Sequence, residues 1–231
     1  MQGESLATQS HQFFLRGNDK MNQLLWQKRI RNYAGLLGAL LPWLSLFSAW
    51  LYGFVTGGLT HGFWSDFSIS ATYYCSPALA GILTAASIVL MCYDGYDRID
   101  NLVTTISGVF GLMIVLFPCK CGLSGENVGF FQLPVSISSA LHCTSAVIFF
   151  CLLAFNSLFL FTKTENKMSE KKRVRNMVYV ICGIGMILTM VLMPLPIHFF
   201  AKTWWVEMAS LTFFGISWLV KGGAFKVLND E

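Results

Sequence analysis

Charge is missing from long, specific stretches of this chain, and that constrains its fold more than any motif does. Residues 33–93 hold one charged side chain, Asp66, and 203–220 hold one, Glu207. Residues 101–119, 127–162 and 176–201 hold none. A helix needs roughly 20 largely apolar residues to cross about 30 Å of hydrocarbon at about 1.5 Å per residue. Six segments meet or approach that length: 33–56, 77–93, 101–119, 135–162, 176–195 and 203–220. Barrel strands would alternate polar and apolar residues over about ten positions. The runs at 148–153 and 186–193 do not alternate. Lipid cannot satisfy a free backbone amide, so the spans are expected to be helices.

Composition agrees. The chain is 55% hydrophobic and 12% charged, about half the charge of an ordinary soluble domain. That is too apolar for a soluble fold or a disordered chain. The formal charge of +4 is too modest to indicate nucleic acid. Seven cysteines in 231 residues are too few for a disulfide-stapled scaffold. The expected fold class is therefore all-α, a polytopic integral membrane protein built as a six-transmembrane-helix bundle. Its parts are an N-terminal segment at 1–32, the helical domain at 33–221 and a tail at 222–231. The first 20 residues are expected to be poorly ordered. Residues 23–31 form either a short basic helix on the membrane surface or an ordinary basic anchor, and the anchor is the preferred reading. The first 32 residues lack the apolar core of a signal peptide, so the first span is expected to remain as an anchor.

Lysine and arginine set orientation. The segment before the first span, the inner turn at 94–100, the loop at 163–175 and the C-terminal end from Lys221 onward together hold 14 of them. The other side holds two, Lys120 and Lys202. Both termini are thereby expected in the cytoplasm. A bacterial inner membrane suits the compact loops, with a eukaryotic endomembrane as the alternative.

Polar residues inside or beside the spans are the candidates for chemistry, because ionisable groups at membrane depth are costly and usually functional. Glu207 lies about one turn inside the last span. His142 lies about two turns inside the fourth, where Ser138, His142 and Ser145 are spaced by four and three and share one face. The functional reading is a proton-handling or ligand-contacting stripe; the alternative is hydrogen bonding between helices. Proximity places a His142–Glu207 pair within reach. The loop at 57–76 carries His61, Trp64, Asp66, Ser68, Ser70, Thr72, Tyr73 and Tyr74. Its Ser68-Ile69-Ser70 step alternates like a short strand or an extended lid, which would cap an outer cavity holding His142 and Glu207. Cys75, Cys119 and Cys121 map to the outer side, where a bridge from Cys75 to Cys119 or Cys121 would join two loops. The turn Tyr93-Asp94-Gly95-Tyr96-Asp97-Arg98-Ile99-Asp100 is too short for a calcium loop and reads as a tight turn, with Asp100 N-capping the third span. No phosphate loop, zinc-protease helix or serine-hydrolase elbow is present. No metal or cofactor is expected.

The layout resembles a family: the six-span DRAM-like and Frag-like membrane proteins, and more closely their uncharacterised bacterial relatives. The likeness rests on Phe67-Ser68-Ile69-Ser70-Ala71, on the charged inner turn, on Ala140-Leu141-His142-Cys143-Thr144-Ser145-Ala146, and on the stretch from Glu207 to Gly215. It implies a non-enzymatic membrane protein that binds lipid or a membrane partner through an outward-facing polar cavity. A second copy of the chain is also open as a partner. Two alternatives stand. The chain shares Ser70, Asp66 and His142 with the pattern of the alkaline-ceramidase-like metal hydrolases, but lacks their paired late histidines. A small proton-coupled transporter would use the buried acid and histidine.

Overall fold

The computed structural model describes residues 2–95, 97–163 and 168–229, with the backbone alone for 2–20. Among the described residues the regular structure is helical apart from one two-stranded hairpin. The seven α-helices among the described residues are α1 (Gln2–Thr56), α2 (His61–Ser65), α3 (Ala78–Met91), α4 (Arg98–Leu116), α5 (Val135–Phe155), α6 (Glu170–Leu192) and α7 (Lys202–Gly222). A 3-10 turn, Ser70–Tyr74, precedes α3, and a π-helical turn, Asn156–Leu160, extends α5. Strands β1 (Asn127–Val128) and β2 (Leu133–Pro134) pair antiparallel in the loop before α5.

Among the described residues, four helical segments are long and apolar enough to cross a membrane: Met21–Thr56, Arg98–Leu116, Val135–Leu160 and Glu170–Leu192. Helix α3 is apolar but has only 14 residues. The surface matches such a setting. Trp43, Phe47, Trp50, Ile181, Ile184 and Leu188 are exposed, while Ser45, Ser87, Thr104, Ser107, Ser138, Ser210 and Ser217 are buried to 0% exposure. A water-soluble fold distributes these the other way. Small interior residues let helices approach closely. Gly35 of α1 meets Gly215 of α7 so tightly that a methyl group on Gly215 would lie 2.8 Å from the Ala39 Cβ and 2.9 Å from the Gly35 carbonyl oxygen.

The bundle half nearer the termini is closed by aromatic rings. Trp218 of α7 packs on Tyr93, Phe161 and Phe214, with centroids 5.3, 5.3 and 5.8 Å away. Arg31 lies over Tyr93 at 5.3 Å, and Lys221 over Phe161 at 5.0 Å.

Several local expectations change. Residues 23–31 belong to one continuous helix with the first span, and the helical backbone begins at Gln2, so no separate surface helix forms at 23–31. Ser68–Ser70 is not a strand. Ile69 is in the right-handed helical region, and the Ser68 hydroxyl accepts the Ala71 N–H at 3.0 Å, which turns the chain into the 3-10 helix. Helix α4 starts earlier than expected. Its N-cap is Asp97, whose carboxylate accepts the Asp100 N–H at 2.8 Å, and Asp100 sits in the first turn. Asp97 has the extended backbone that an N-cap requires. The rest of that turn closes on itself: Asn101 Nδ2 donates to Asp94 at 2.8 Å and the Tyr93 hydroxyl to Asp100 at 3.3 Å. Tyr96 lies outside the described residues.

Candidate functional site

The site forms at the end of the bundle that carries the 57–76 loop, and it begins with a proline. In a helix, the carbonyl of Ile114 would bond the N–H of residue 118. Residue 118 is proline and has no N–H. Helix α4 ends there, leaving the carbonyls of Ile114 and Phe117 without helical partners. His142 of α5 takes both: its Nδ1 lies 3.1 Å from Ile114 O and 2.9 Å from Phe117 O. A carbonyl only accepts, so Nδ1 carries a proton. Ser138, one turn earlier on the same face, donates to the Pro118 carbonyl at 2.8 Å. The imidazole of His142, 5% exposed, is thus held from behind by backbone.

Its other nitrogen faces the loop. Nε2 lies 3.0 Å from Ser70 Oγ, and Ser70 Oγ lies 3.1 Å from Glu207 Oε1 of α7. The second carboxyl oxygen, Oε2, accepts the Ile69 N–H at 2.6 Å. One hydroxyl proton cannot serve both neighbours of Ser70, so two proton placements satisfy the geometry. In the first, protonated Glu207 donates to Ser70, which donates to neutral His142. In the second, His142 is an imidazolium that donates to Ser70, which donates to a Glu207 carboxylate. They differ by one proton passed through Ser70.

The loop reaches this position because its backbone docks on the start of α7. Ala201 N–H bonds Ser65 O at 2.9 Å and Trp204 N–H bonds Phe67 O at 3.1 Å. Ala201 precedes α7 in the left-handed region, at φ 51°. Phe67 and Trp204 pack ring to ring behind the contact. At the other end of the loop, the Tyr74 hydroxyl donates to Cys119 O at 2.8 Å and ties it to the segment after α4.

Ser70, His142 and Glu207 open on one cavity of about 900 Å³. Most of its lining is apolar, including Leu83, Ile114, Phe149, Phe150, Met190 and Leu211. Asp66, Ser68 and Lys120 also line it. The volume is at the upper end of the range for ligand pockets.

No protein-family model, no curated protein and no solved structure matches this chain.

What the site can do therefore rests on its own atoms. The structure brings together Ser70, His142 and Glu207, with Ser138 behind the histidine. Ser145 is buried on the same helix face, and Ser68 shapes the turn as well as lining the cavity. Cys75, Cys119 and Cys121 are free thiols, and no bridge joins them. Burial pushes the Cys75 thiol up to about 11, helped by nearby Cys121, and burial raises Tyr74 too, helped by Cys119 and Cys121. Among the described residues, no group of three His, Cys, Asp or Glu side chains is placed to hold a metal ion. Asp66 and His142 of the alkaline-ceramidase-like pattern both line the cavity with Ser70 and form no such group among the described residues. The carbonyls of Ile114 and Phe117 are the functional groups that a reading of side chains misses. Pro118 was their signal.

Proposed function

We propose that this chain is an integral membrane protein that binds a lipid-like amphiphile, with acyl chain in the apolar part of the cavity and polar group at Ser70, His142 and Glu207. The observation that carries this reading is the cavity: about 900 Å³, apolar through most of its lining, with a hydrogen-bonded polar cluster on its wall. An amphiphile has that same division of surface. The DRAM-like resemblance points the same way.

The reading includes six spans and cytoplasmic termini in a bacterial inner membrane. Helix α7 has 21 residues, which gives about 31 Å of rise. Helix α3 gives about 21 Å and needs the 3-10 turn before it to approach the hydrocarbon thickness. Alternating sides that hold 14 and 2 basic residues support the even count.

Native mass spectrometry of protein released gently from its membrane tests the binding. Wild type is expected to retain about one lipid per chain. Ala146→Phe, which fills the cavity wall, should lose it, and His142→Ala should weaken it. A bare wild-type chain, or equal retention by Ala146→Phe, would overturn the proposal.

A further inference from the structure

The cluster is built as more than a head-group contact. Ser70 is half-buried on a loop and lines the cavity, whereas the buried hydroxyls of Ser87, Thr104 and Thr189 donate to carbonyls of their own helices. Its Oγ is 3.0 Å from an imidazole nitrogen. The opposite nitrogen of that ring is fixed as a donor by two backbone carbonyls. In the neutral ring this leaves Nε2 with its lone pair directed at a hydroxyl, the arrangement a general base needs to activate a nucleophile. Orientation of the base by a third group is usually the work of a carboxylate. Here the carbonyls freed by Pro118 do it, and the carboxyl group of Glu207 is on the serine instead.

We infer that Ser70 is a nucleophile and His142 its base, and that the protein transfers the acyl group of an ester lipid held in the cavity. The inference rests on the amphiphile-binding reading above. In the first step Oγ bonds to the acyl carbon while its proton passes to Nε2. The tetrahedral intermediate expels the alcohol part of the lipid as the ester C–O bond breaks, and that oxygen takes the proton from Nε2. An acyl-Ser70 remains. Water, or the hydroxyl of a second lipid, then attacks the acyl carbon. Its proton passes to Nε2 and on to Ser70 Oγ as the acyl bond to the serine breaks. Nothing is oxidised or reduced. Glu207 in its protonated form donates to Ser70 Oγ, which leaves the hydroxyl proton directed at Nε2.

An alkyl fluorophosphonate tests this in the full-length protein in nanodiscs of phosphatidylethanolamine and phosphatidylglycerol. Oγ attacks phosphorus, fluoride leaves, and the proton goes to His142. Peptide mass spectrometry should find the adduct on Ser70 in wild type and none in Ser70→Ala. His142→Gln should react about a hundredfold more slowly, at the low end of what a positioned base contributes. Ser70→Cys, which keeps a donor at the same place, should transfer the reactivity to iodoacetamide and keep its dependence on His142. A long-chain probe should outpace a polar-linker probe of equal reactivity, because the cavity is apolar. Release of free fatty acid with lysophospholipid from the nanodisc lipid identifies water as acceptor; triacylated phosphatidylglycerol with lysophospholipid identifies a lipid hydroxyl. Unreactive Ser70 in protein that still retains lipid would refute the nucleophile and leave binding intact. Unreactive Ser70 in protein that retains no lipid would refute both readings.

Discussion

At the scale of single residues, Glu207 does two jobs that variants can separate. Its carboxyl holds the Ile69 N–H and the Ser70 hydroxyl, and so fastens the loop to α7. Glu207→Ala leaves that backbone donor without a partner and is expected to cost about 1–3 kcal/mol. Glu207→Gln keeps an acceptor and should cost less than half as much; thermal unfolding in detergent measures both. The pair was half legible in the sequence. A lone acid in a span and a histidine in a serine stripe mark themselves by being expensive there. That Ser70 would bridge them was not legible, because the bridge depends on a turn made by the Ser68 hydroxyl where alternation suggested a strand. Cys75 gives a second test. Its folded-state thiol is raised to about 11, above an ordinary value of about 8.5. Its contribution to stability is therefore complete below the ordinary value and is lost as pH rises through about 11. Cys75→Ser, which does not titrate there, should flatten the fall in melting temperature over that window. A bridged Cys75 would show no such fall, and after unfolding it would resist alkylation until reduced.

Elements were more legible than side-chain contacts, for a physical reason. The lack of charge marks each long helix, and the structure ends α1 at Thr56 and starts α5 at Val135, the bounds expected for those spans. Charge patterning is silent about helix ends that lie in basic sequence, so α6 begins at Glu170, one turn and more before the apolar run at 176. There the N-cap decides: the Ser169 hydroxyl accepts the Lys172 N–H at 3.0 Å. Which helices touch is written in the small residues instead. Gly35 and Gly215 bring α1 and α7 to backbone contact, and no side chain between them can rotate aside to make room. Gly215→Ala forces a methyl group to 2.8 Å from Ala39, and overpacking of that kind costs about 1–3 kcal/mol. Because α7 also carries Glu207, the same variant should weaken lipid retention as well as lower the melting temperature. A drop in stability with full retention would show that the site tolerates movement of α7.

For the whole molecule, the decisive quantity is how many times the chain crosses the membrane, and the weak points are α3 and α7. Helix α3 has 14 residues, and α7 is not among the four segments whose length and hydropathy mark a span. Packing argues for both. Helix α7 lies against α1 over a glycine contact, and its Trp218, 1% exposed, sits amid Tyr93, Phe161 and Phe214, so α7 belongs to the interior of the bundle. An interior helix needs less hydropathy than a lipid-facing one, because protein rather than lipid covers its polar atoms. Single cysteines in a cysteine-free background make the count measurable. His61, Arg98 and Gly122 are exposed in successive loop regions; Met168 and Val227, 58% and 84% exposed, lie beyond α5 and α7. A membrane-impermeant maleimide applied from outside should label cysteines at 61 and 122. Those at 98, 168 and 227 should react only after permeabilisation. Labelling at 98 together with 61 would mean that α3 does not cross, and labelling at 227 from outside would mean that one of α6 and α7 does not. In the first case the cavity would lose the wall that Leu83 supplies, and the amphiphile would have to enter from the side of α3.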